Sequence, residues 1–331
     1  MEENLAISIV TLCLTYLVLV GGVKIHIDRD GIIGSTIPSK DLNMTIQELI
    51  VQKTGDGDVY DCVDIYKQPA MNHPLLKNHI IQMEPSSYPL DLDIQSILSS
   101  NISESNFPDI KCPTGTIPIL RHNSSEAHMP NGGSQEEVWP SFSGDNFVRF
   151  HIRWVDSSNK PCYDFNCPGF VQVSQLAGIG GRITPVSVYN GPQYIITVML
   201  FQDRKTKDWW LARLDKSSAI GYRPLVYWPS KLFDTLQEKA TYAFWGGWVR
   251  GPTVSSDPPP MGSGHFAKEG YRKAAFVKGI RIANKDNNFV NPNVGKATTV
   301  TTRGLCYTVD GFGVLKMGMH VFFGGPGQCP N

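Results

Sequence analysis

The sequence lacks charge: only 18% of its 331 residues are Asp, Glu, Lys or Arg, and 30 basic and 30 acidic residues cancel to a formal net charge of zero. Without a basic excess, a dedicated nucleic-acid-binding protein is not expected. The low charge, with 31 Gly and 23 Pro, also excludes a coiled coil and a disordered chain. The composition indicates a folded protein with one large domain or two ordinary ones.

The few charges are unevenly distributed along the chain. Residues 23–130 contain 8 Lys/Arg and 14 Asp/Glu, whereas residues 131–331 contain 22 and 14. The linker-like sequence HNSSEAHMPNGGSQ at 122–135 favours a domain boundary near residue 131. An acidic first unit and a basic second unit are predicted to attract each other.

Only one long apolar run is present, LAISIVTLCLTYLVLV at residues 5–20. It is shorter than the ~20 residues that span a bilayer comfortably. The run predicts a secretory signal peptide at residues 1–22 and a secreted protein without membrane attachment after its removal. A short uncleaved signal anchor is the alternative, because Glu2 and Glu3 stand where positive charge is usual.

Removal of this segment takes away Cys13 and leaves six cysteines, which are expected to pair in an oxidising compartment. Pairing between sequence neighbours is one of the many connectivities that six cysteines allow. It would join Cys62 to Cys112, Cys162 to Cys167 and Cys306 to Cys329. No second close couple completes a tetrahedral site beside Cys162 and Cys167, so no metal is predicted. Sequons at Asn43, Asn101 and Asn123 predict glycosylation of the acidic unit.

The second unit is predicted to consist mainly of strands. Val148, Phe150, Ile152 and Trp154 alternate with mostly polar residues, which indicates a half-buried strand. Further strand candidates are PVSVY, QYIITVMLF, WWLARL, AIGYRPLVYW, AAFVKGIRIA and VLKMGMHVFFG. One helix is predicted at 230–240, with Ser230 as its N-cap.

The first unit mixes two kinds of signal. NMTIQELIVQK at 43–53 predicts a short amphipathic helix, and HIIQM at 79–83 predicts a strand. The whole chain is therefore expected to be mainly β, an antiparallel β-sandwich preceded by a small α+β unit. Gly178-Ile179-Gly180-Gly181 lacks the strand, helix and acidic residue of a dinucleotide site, so no cofactor is predicted.

Long motifs extend through both units. They are DCVDIYKQPAMNHPLLKNHIIQMEPSSYP, KCPTGTIPI, CYDFNCPGFVQ, VSVYNGPQY, DWWLARL, YWPSKLF, FWGGWV, MGSGHFAKEGYRKAAF and FFGGPGQCPN. With these motifs the chain resembles the plant neprosin family. The resemblance implies a prosegment at residues 23–130, which resembles the neprosin activation peptide and would shield the cleft of its own peptidase-like domain at 131–331. It also implies a two-sheet sandwich and secretion as a zymogen to the apoplast.

The neprosin family resembles glutamic peptidases that cut after proline at acid pH. Such chemistry needs two carboxyl groups at one water molecule, one ionised as the base and one protonated as the acid. One family glutamate closes a Trp-Gly-Gly-Glu-Val motif, which here reads Trp245-Gly246-Gly247-Trp248-Val249. The other is Glu136 if the spacing to the following Trp is kept, but counting back from Pro140 gives Gly133.

The sandwich is also expected to lack strands, because only Leu120 to Val138 connects motifs that a longer stretch separates in the family. Glu269 could be proposed as a replacement acid, although a glutamate in a surface turn is the simpler interpretation. Gly262-Ser263-Gly264-His265 lacks the G-x-S-x-G elbow of a serine hydrolase.

These departures predict a neprosin-like protein without peptidase activity. One alternative is an active proline-cleaving enzyme with an altered site, or a gene model that skips an exon. Another is a module that binds wall glycan or proline-rich peptide through an aromatic groove. The groove candidates are Trp209, Trp210, Trp245 and Trp248, each of which could instead pack in the core.

Overall fold

The structure is a computed structural model that describes residues 9–13, 50–90, 102–108, 110–121, 143–158, 161–240, 243–247, 249, 256–315 and 318–328. The strands in these ranges are, in chain order, β1 (Ile9–Cys13), β2 (Ile50–Lys53), β3 (Val59–Asp64), β4 (Ser103–Glu104), β5 (Thr116–Leu120), β6 (Arg153–Val155), β7 (Pro161–Tyr163), β8 (Val171–Gln172), β9 (Tyr194–Gln202), β10 (Trp209–Leu214), β11 (Tyr222–Trp228), β12 (Ala275–Lys278), β13 (Ile282–Ala283), β14 (Phe289–Val290), β15 (Thr308–Leu315) and β16 (Gly318–Gly324).

The largest sheet contains nine strands. Its order is β15-β16-β12-β1-β9-β10-β11-β8, and β4 pairs with β9 in parallel beside this path. All other neighbours in the sheet are antiparallel. The prediction of a mainly β, antiparallel fold is therefore confirmed. No helix among the residues described here is long and apolar enough to span a membrane.

Strands β9, β10 and β11 form the centre of the core. Ile196, Met199, Trp210 and Tyr227 are completely buried, because both faces of these strands are covered. Strands covered on both faces are apolar along their whole length rather than alternating. This explains why the runs YIITVMLFQ and WWLARL were recognisable as strands, and their bounds match the structure closely.

The first unit contributes the three-stranded sheet β2-β3-β5. The helix prediction for residues 43–53 is wrong over its last four residues, because Ile50–Lys53 forms strand β2 and pairs with β3. The other residues of that prediction, 43–49, lie outside the described ranges. Residues 79–83 are not a strand either. Short 3₁₀ turns at Ile65–Lys67, Pro69–Asn72 and Pro74–Leu76 follow β3.

The helix predicted at 230–240 is also wrong. The structure has two 3₁₀ turns there, Ser230–Leu232 and Thr235–Gln237. Ser230 does not cap a helix, because its backbone N–H donates to Asp208 Oδ1 at 2.8 Å and its hydroxyl donates to Thr206 O. The segment PVSVY at 185–189 is irregular rather than a strand, and a turn begins at Tyr189.

The alternation over residues 146–155 is confirmed in burial but only partly in backbone structure. Val148, Phe150, Ile152 and Trp154 are buried as expected. Only Arg153–Val155 forms a regular strand, β6. Arg149, on the polar side of the pattern, is buried as well, and its partners lie in the first unit as well as the second.

Candidate functional site

The family positions identified in the sequence lie outside the described residues: Gly133, Glu136 and Trp248. The same holds for the glycosylation candidates Asn43, Asn101 and Asn123 and for Cys329. Among these family positions only Trp248 has described sequence neighbours, at residues 243–247 and 249.

The Trp-Gly-Gly segment packs against the second half of the domain. Trp245 is half-buried against the main core. A Cβ atom at Gly247 would overlap the side chains of Met261 and Phe323. The glycine thus allows this segment to approach β16 closely.

Two further motifs meet at the same place. Met261 and Gly325 exchange backbone hydrogen bonds, with 2.9 Å from Met261 N to Gly325 O. Gly324 has no room for a side chain, because a Cβ atom there would lie 2.6 Å from His265 O. The motifs FWGGWV, MGSGHF and FFGGPG, which are separate in sequence, are therefore joined into one region.

A polar cluster of Tyr189, His265 and Glu269 lies at the surface of this region. The Tyr189 hydroxyl donates to Glu269 Oε2 at 3.0 Å, and His265 Nδ1 lies 3.0 Å from Glu269 Oε1. The rings of Tyr189 and His265 stack with 3.9 Å between centroids. Slight burial acts to raise the pKa of the Glu269 carboxyl, but the hydrogen bonds with Tyr189 and His265 outweigh it and lower the pKa. Glu269 is therefore an ionised acceptor at neutral pH.

Two of the four groove candidates are part of the core. Trp210 is completely buried, and Trp209 is 4% exposed with its indole N–H donating to Leu236 O at 2.8 Å. Their burial in strand β10 removes them from any surface groove. Trp245 alone among the described candidates is only partly buried.

A buried ionic cluster joins the two units, and sequence reasoning did not find it. The Arg149 guanidinium bonds both carboxylate oxygens of Asp58, at 2.8 and 3.0 Å, and Asp145 Oδ2 at 2.6 Å. Asp58 belongs to the first unit, whereas Arg149, Asp145 and Arg182 belong to the second. Arg182 Nη2 also bonds Asp145 Oδ2 at 3.0 Å.

The pKa values of this cluster follow from its geometry. Burial acts to lower the pKa of Arg149, but the hydrogen bonds to Asp145 and Asp58 outweigh it and raise the pKa. Burial acts to raise the pKa of Asp145, but the hydrogen bonds from Arg149 and Phe147 N outweigh it and lower the pKa. The charged forms of Arg149 and Asp145 are therefore stabilised at neutral pH.

Neutral groups make a second contact between the units. Gln68 is fully buried; its side chain accepts from Gln172 N at 2.8 Å and donates to Gln172 O at 3.2 Å. The amide of Gln68 thus pairs with the backbone of β8 as a neighbouring strand would. Glycine is required nearby, because a Cβ atom at Gly178 would lie 2.7 Å from the Tyr60 hydroxyl. The Gly-rich run at 178–181 therefore serves packing between units.

The segment from His79 to Tyr88 of the first unit lies along the ends of β9 to β11. His79 Nε2 is 2.7 Å from the Tyr227 hydroxyl, and Gln82 Nε2 donates to Asp208 Oδ2 at 3.0 Å. The Ser86 and Ser87 hydroxyls donate to Asp203 Oδ1 at 2.7 and 3.0 Å. The sequence EPSSYP is held here by a carboxylate of the β9–β10 turn.

The pKa values of the two acids at this contact, Asp203 and Asp208, shift in opposite directions. Burial acts to raise the pKa of Asp203, but hydrogen bonds led by that of Ser86 outweigh it and lower the pKa. Burial raises the pKa of Asp208, and hydrogen bonds from Ser230 and Thr206 offset it only in part.

Two predicted disulfides are confirmed, Cys62–Cys112 in the first unit and Cys162–Cys167 in the second. Cys306 is also disulfide-bonded. Its predicted partner, Cys329, lies outside the described residues. The neighbour pairing therefore holds for the two couples that the structure describes completely.

A cavity of about 440 Å³ lies beside β4 and β10. Glu104 at its wall accepts from Thr197 N at 3.0 Å and from the Thr197 hydroxyl at 2.6 Å. Burial raises the pKa of Glu104, and the hydrogen bonds from Thr197 offset this only in part. The Arg213 guanidinium stacks over the Phe107 ring at 4.5 Å. Residues of both units therefore line this cavity.

The described residues form a mainly antiparallel, disulfide-bonded domain that packs against an N-terminal unit through buried polar contacts. Comparison with protein-family models identifies both parts. The Neprosin model matches residues 133–326, and the Neprosin activation peptide model matches residues 51–131. The chain belongs to the neprosin family and is a neprosin-like, peptidase-related protein with an activation-peptide unit.

Proposed function

We propose that this chain is a secreted neprosin-like protein that has lost the peptidase activity of its family. The observation that carries the proposal is Trp248 in the motif Trp-Gly-Gly-Trp-Val, where the family has a glutamate. An indole neither accepts nor releases a proton in the working pH range, so it cannot serve as the acid or the base. Glu136, which the spacing matches to the other family glutamate, is left without a partner.

Glu269 does not replace the missing carboxyl group. It is the acid of the region where the family motifs meet, but Tyr189 and His265 hold it in the ionised form. The missing role includes a protonated carboxyl that donates to the substrate. A surface carboxylate with a lowered pKa is poorly suited to that role.

Secretion is supported by three features of the chain. The apolar run at residues 5–20 fits a signal peptide, and the three sequons fit passage through the secretory pathway. The disulfides Cys62–Cys112 and Cys162–Cys167 fit an oxidising compartment. Passage to the apoplast as a glycoprotein is part of the proposal.

The test is a peptidase assay on the purified, acid-treated protein with a fluorogenic proline-containing peptide. We expect no turnover by the wild-type protein and none by Glu136→Gln. Trp248→Glu tests whether the carboxyl alone is missing, and a gain of turnover that Glu136→Gln removes would support the assignment of both positions. Wild-type turnover that Glu136→Gln abolishes would overturn the proposal.

The transcript between Leu120 and Val138 provides an independent check. A longer transcript that encodes additional strands and a glutamate would favour the alternative of an active enzyme. Trp248 would then be the remaining argument against catalysis.

A binding role is the second candidate, and Trp245 favours it. Trp245 is partly exposed, and aromatic side chains at a surface can stack on proline or sugar rings. Retention of the protein on immobilised wall polysaccharide or polyproline measures this role, with Trp245→Ala as the variant and the buried pair Trp209 and Trp210 left unchanged. Equal retention of the variant and the wild type would contradict it.

A further inference from the structure

Strand β1 occupies the middle of the large sheet although its residues lie in the predicted signal peptide. Ile9 to Cys13 pair antiparallel with β9, in a register from Ile9 opposite Met199 to Cys13 opposite Ile195. On its other side Thr11 pairs with Lys278 and Leu12 with Val277 of β12. One segment of five residues thus connects two parts of the sheet.

The two flanking strands are buried. Ile196, Thr197 and Met199 of β9 are completely inaccessible, and so is Phe276 of β12. Backbone N–H and C=O groups in such surroundings require partners. Without β1, β9 and β12 would face each other across a slot about 10 Å wide, which is two inter-strand spacings. This distance is too large for direct pairing and is filled by one added strand.

We propose that the slot between β9 and β12 is a strand-acceptor site. When residues 1–22 are removed, the site binds an extended apolar peptide segment by main-chain pairing, as Ile9–Cys13 does in the intact chain. The inference extends the proposed secretion, since signal cleavage is what opens the slot, but it is independent of peptidase activity.

The geometry defines the chemistry of the ligand. The segment must be extended over about five residues and run antiparallel to both neighbours, as in known cases of strand addition. It must be rich in β-branched and apolar residues like IVTLC, because the flanking strands are buried. It must lack proline, which has no backbone N–H to donate to a neighbouring strand. The slot therefore rejects the proline-rich peptides expected at the peptidase cleft.

The first experiment uses the full chain with Thr11→Pro, and Thr11→Val is the matched control. Hydrogen exchange of residues 195–199 and 275–278 reports on the slot. We expect exchange there to accelerate roughly tenfold or more in Thr11→Pro and to stay unchanged in Thr11→Val. Equal protection in both variants would show that the slot does not exist.

The second experiment supplies the strand in trans. A labelled peptide of residues 5–16, with Cys13→Ser and lysines added for solubility, is titrated into the Thr11→Pro protein. Saturable binding that restores protection of β9 and β12 supports the proposal. Binding of the same peptide with Thr11→Pro to an equal extent, or no binding by the wild-type peptide, overturns it.

A third arm covers the case in which Thr11→Pro does not fold. A protease recognition sequence is inserted between residues 22 and 23 of the otherwise unchanged chain, which is cut after folding. We expect the fragment to co-purify with the protein and to be replaced by excess labelled peptide. Loss of the fragment with undiminished protection of residues 195–199 would contradict the proposal.

Discussion

At the scale of single residues, Arg149 is the strongest link between the two units. Its guanidinium is 4% exposed and bonds Asp58, Asp145 and Gly180 O, so every direction of its planar fork is used. A buried guanidinium of this kind is held by the hydrogen bonds and ion pairs with its partners. The cost of removing it is chiefly the cost of leaving buried Asp58 with Arg182 alone, whose backbone N–H donates to Asp58 Oδ2 at 3.2 Å.

Arg149→Met is expected to reduce the free energy of unfolding by about 3–5 kcal/mol, because it leaves Asp58 and Asp145 to share Arg182 as their one remaining cation in the cluster. Urea unfolding at neutral pH measures the change. Arg223→Met is the matched control: Arg223 pairs with Asp215, but its side chain is 46% exposed, and an exposed pair contributes about 1 kcal/mol or less. Similar losses in the two variants would show that the Arg149 cluster is not a special contact.

At the scale of elements, the success of sequence reasoning depends on how local the cause of each structure is. β9 and β10 were found because a strand buried on both faces has a continuous apolar run that stands out in the sequence. Residues 230–240 were misjudged because Ser230 binds Asp208 and Thr206, partners that precede it by more than 20 residues. A capping pattern cannot reveal that its hydroxyl is already engaged in a tertiary contact.

At the candidate site, too, sequence reasoning missed features that depend on contacts distant in sequence. The motifs predicted that Trp245 to Trp248 belong to the candidate site. They did not predict that Gly247 packs on Met261 and Phe323, because this contact depends on where β16 lies in the fold. The burial of Trp209 and Trp210 follows from the central place of β10 in the sheet. Charge asymmetry predicted attraction between the units but not the Asp58–Arg149 pair that is part of it.

The EPSSYP segment provides an element whose attachment should depend on pH. The folded state lowers the pKa of Asp203, so its contribution to stability is complete above its ordinary pKa of about 3.8 and is lost as the pH falls through the lower, folded-state value. Asp203→Asn is expected to cost about 1–3 kcal/mol at pH 7 and much less at about pH 2.5. Urea unfolding of both proteins at both pH values gives the comparison.

The control for this series is Asp257→Asn, because Asp257 is exposed. It should leave the unfolding free energy within about 0.5 kcal/mol at either pH. An Asp203→Asn effect that is equal at the two pH values would contradict the assignment of the pH dependence to this carboxylate.

At the scale of the whole molecule, the first unit is bound by an ionic cluster, a buried amide pair and the EPSSYP segment. Three strands of its own and one disulfide give it an internal framework. The second unit contributes seven of the nine strands of the large sheet; β4 comes from the first unit, and the continuity of the sheet depends on β1, at residues 9–13. Stability of the whole therefore depends on contacts between units as well as on either core.

The two complete disulfides are expected to differ in their effect on global stability because they close loops of different length. Cys62–Cys112 spans 50 residues and Cys162–Cys167 spans 5. Loop-closure entropy predicts losses of about 4 kcal/mol for Cys62→Ser/Cys112→Ser and about 2 kcal/mol for Cys162→Ser/Cys167→Ser. Urea unfolding of the two double variants under oxidising conditions measures both. A larger loss for the short loop would mean that packing around Cys162, which is itself buried, outweighs the constraint on the unfolded chain.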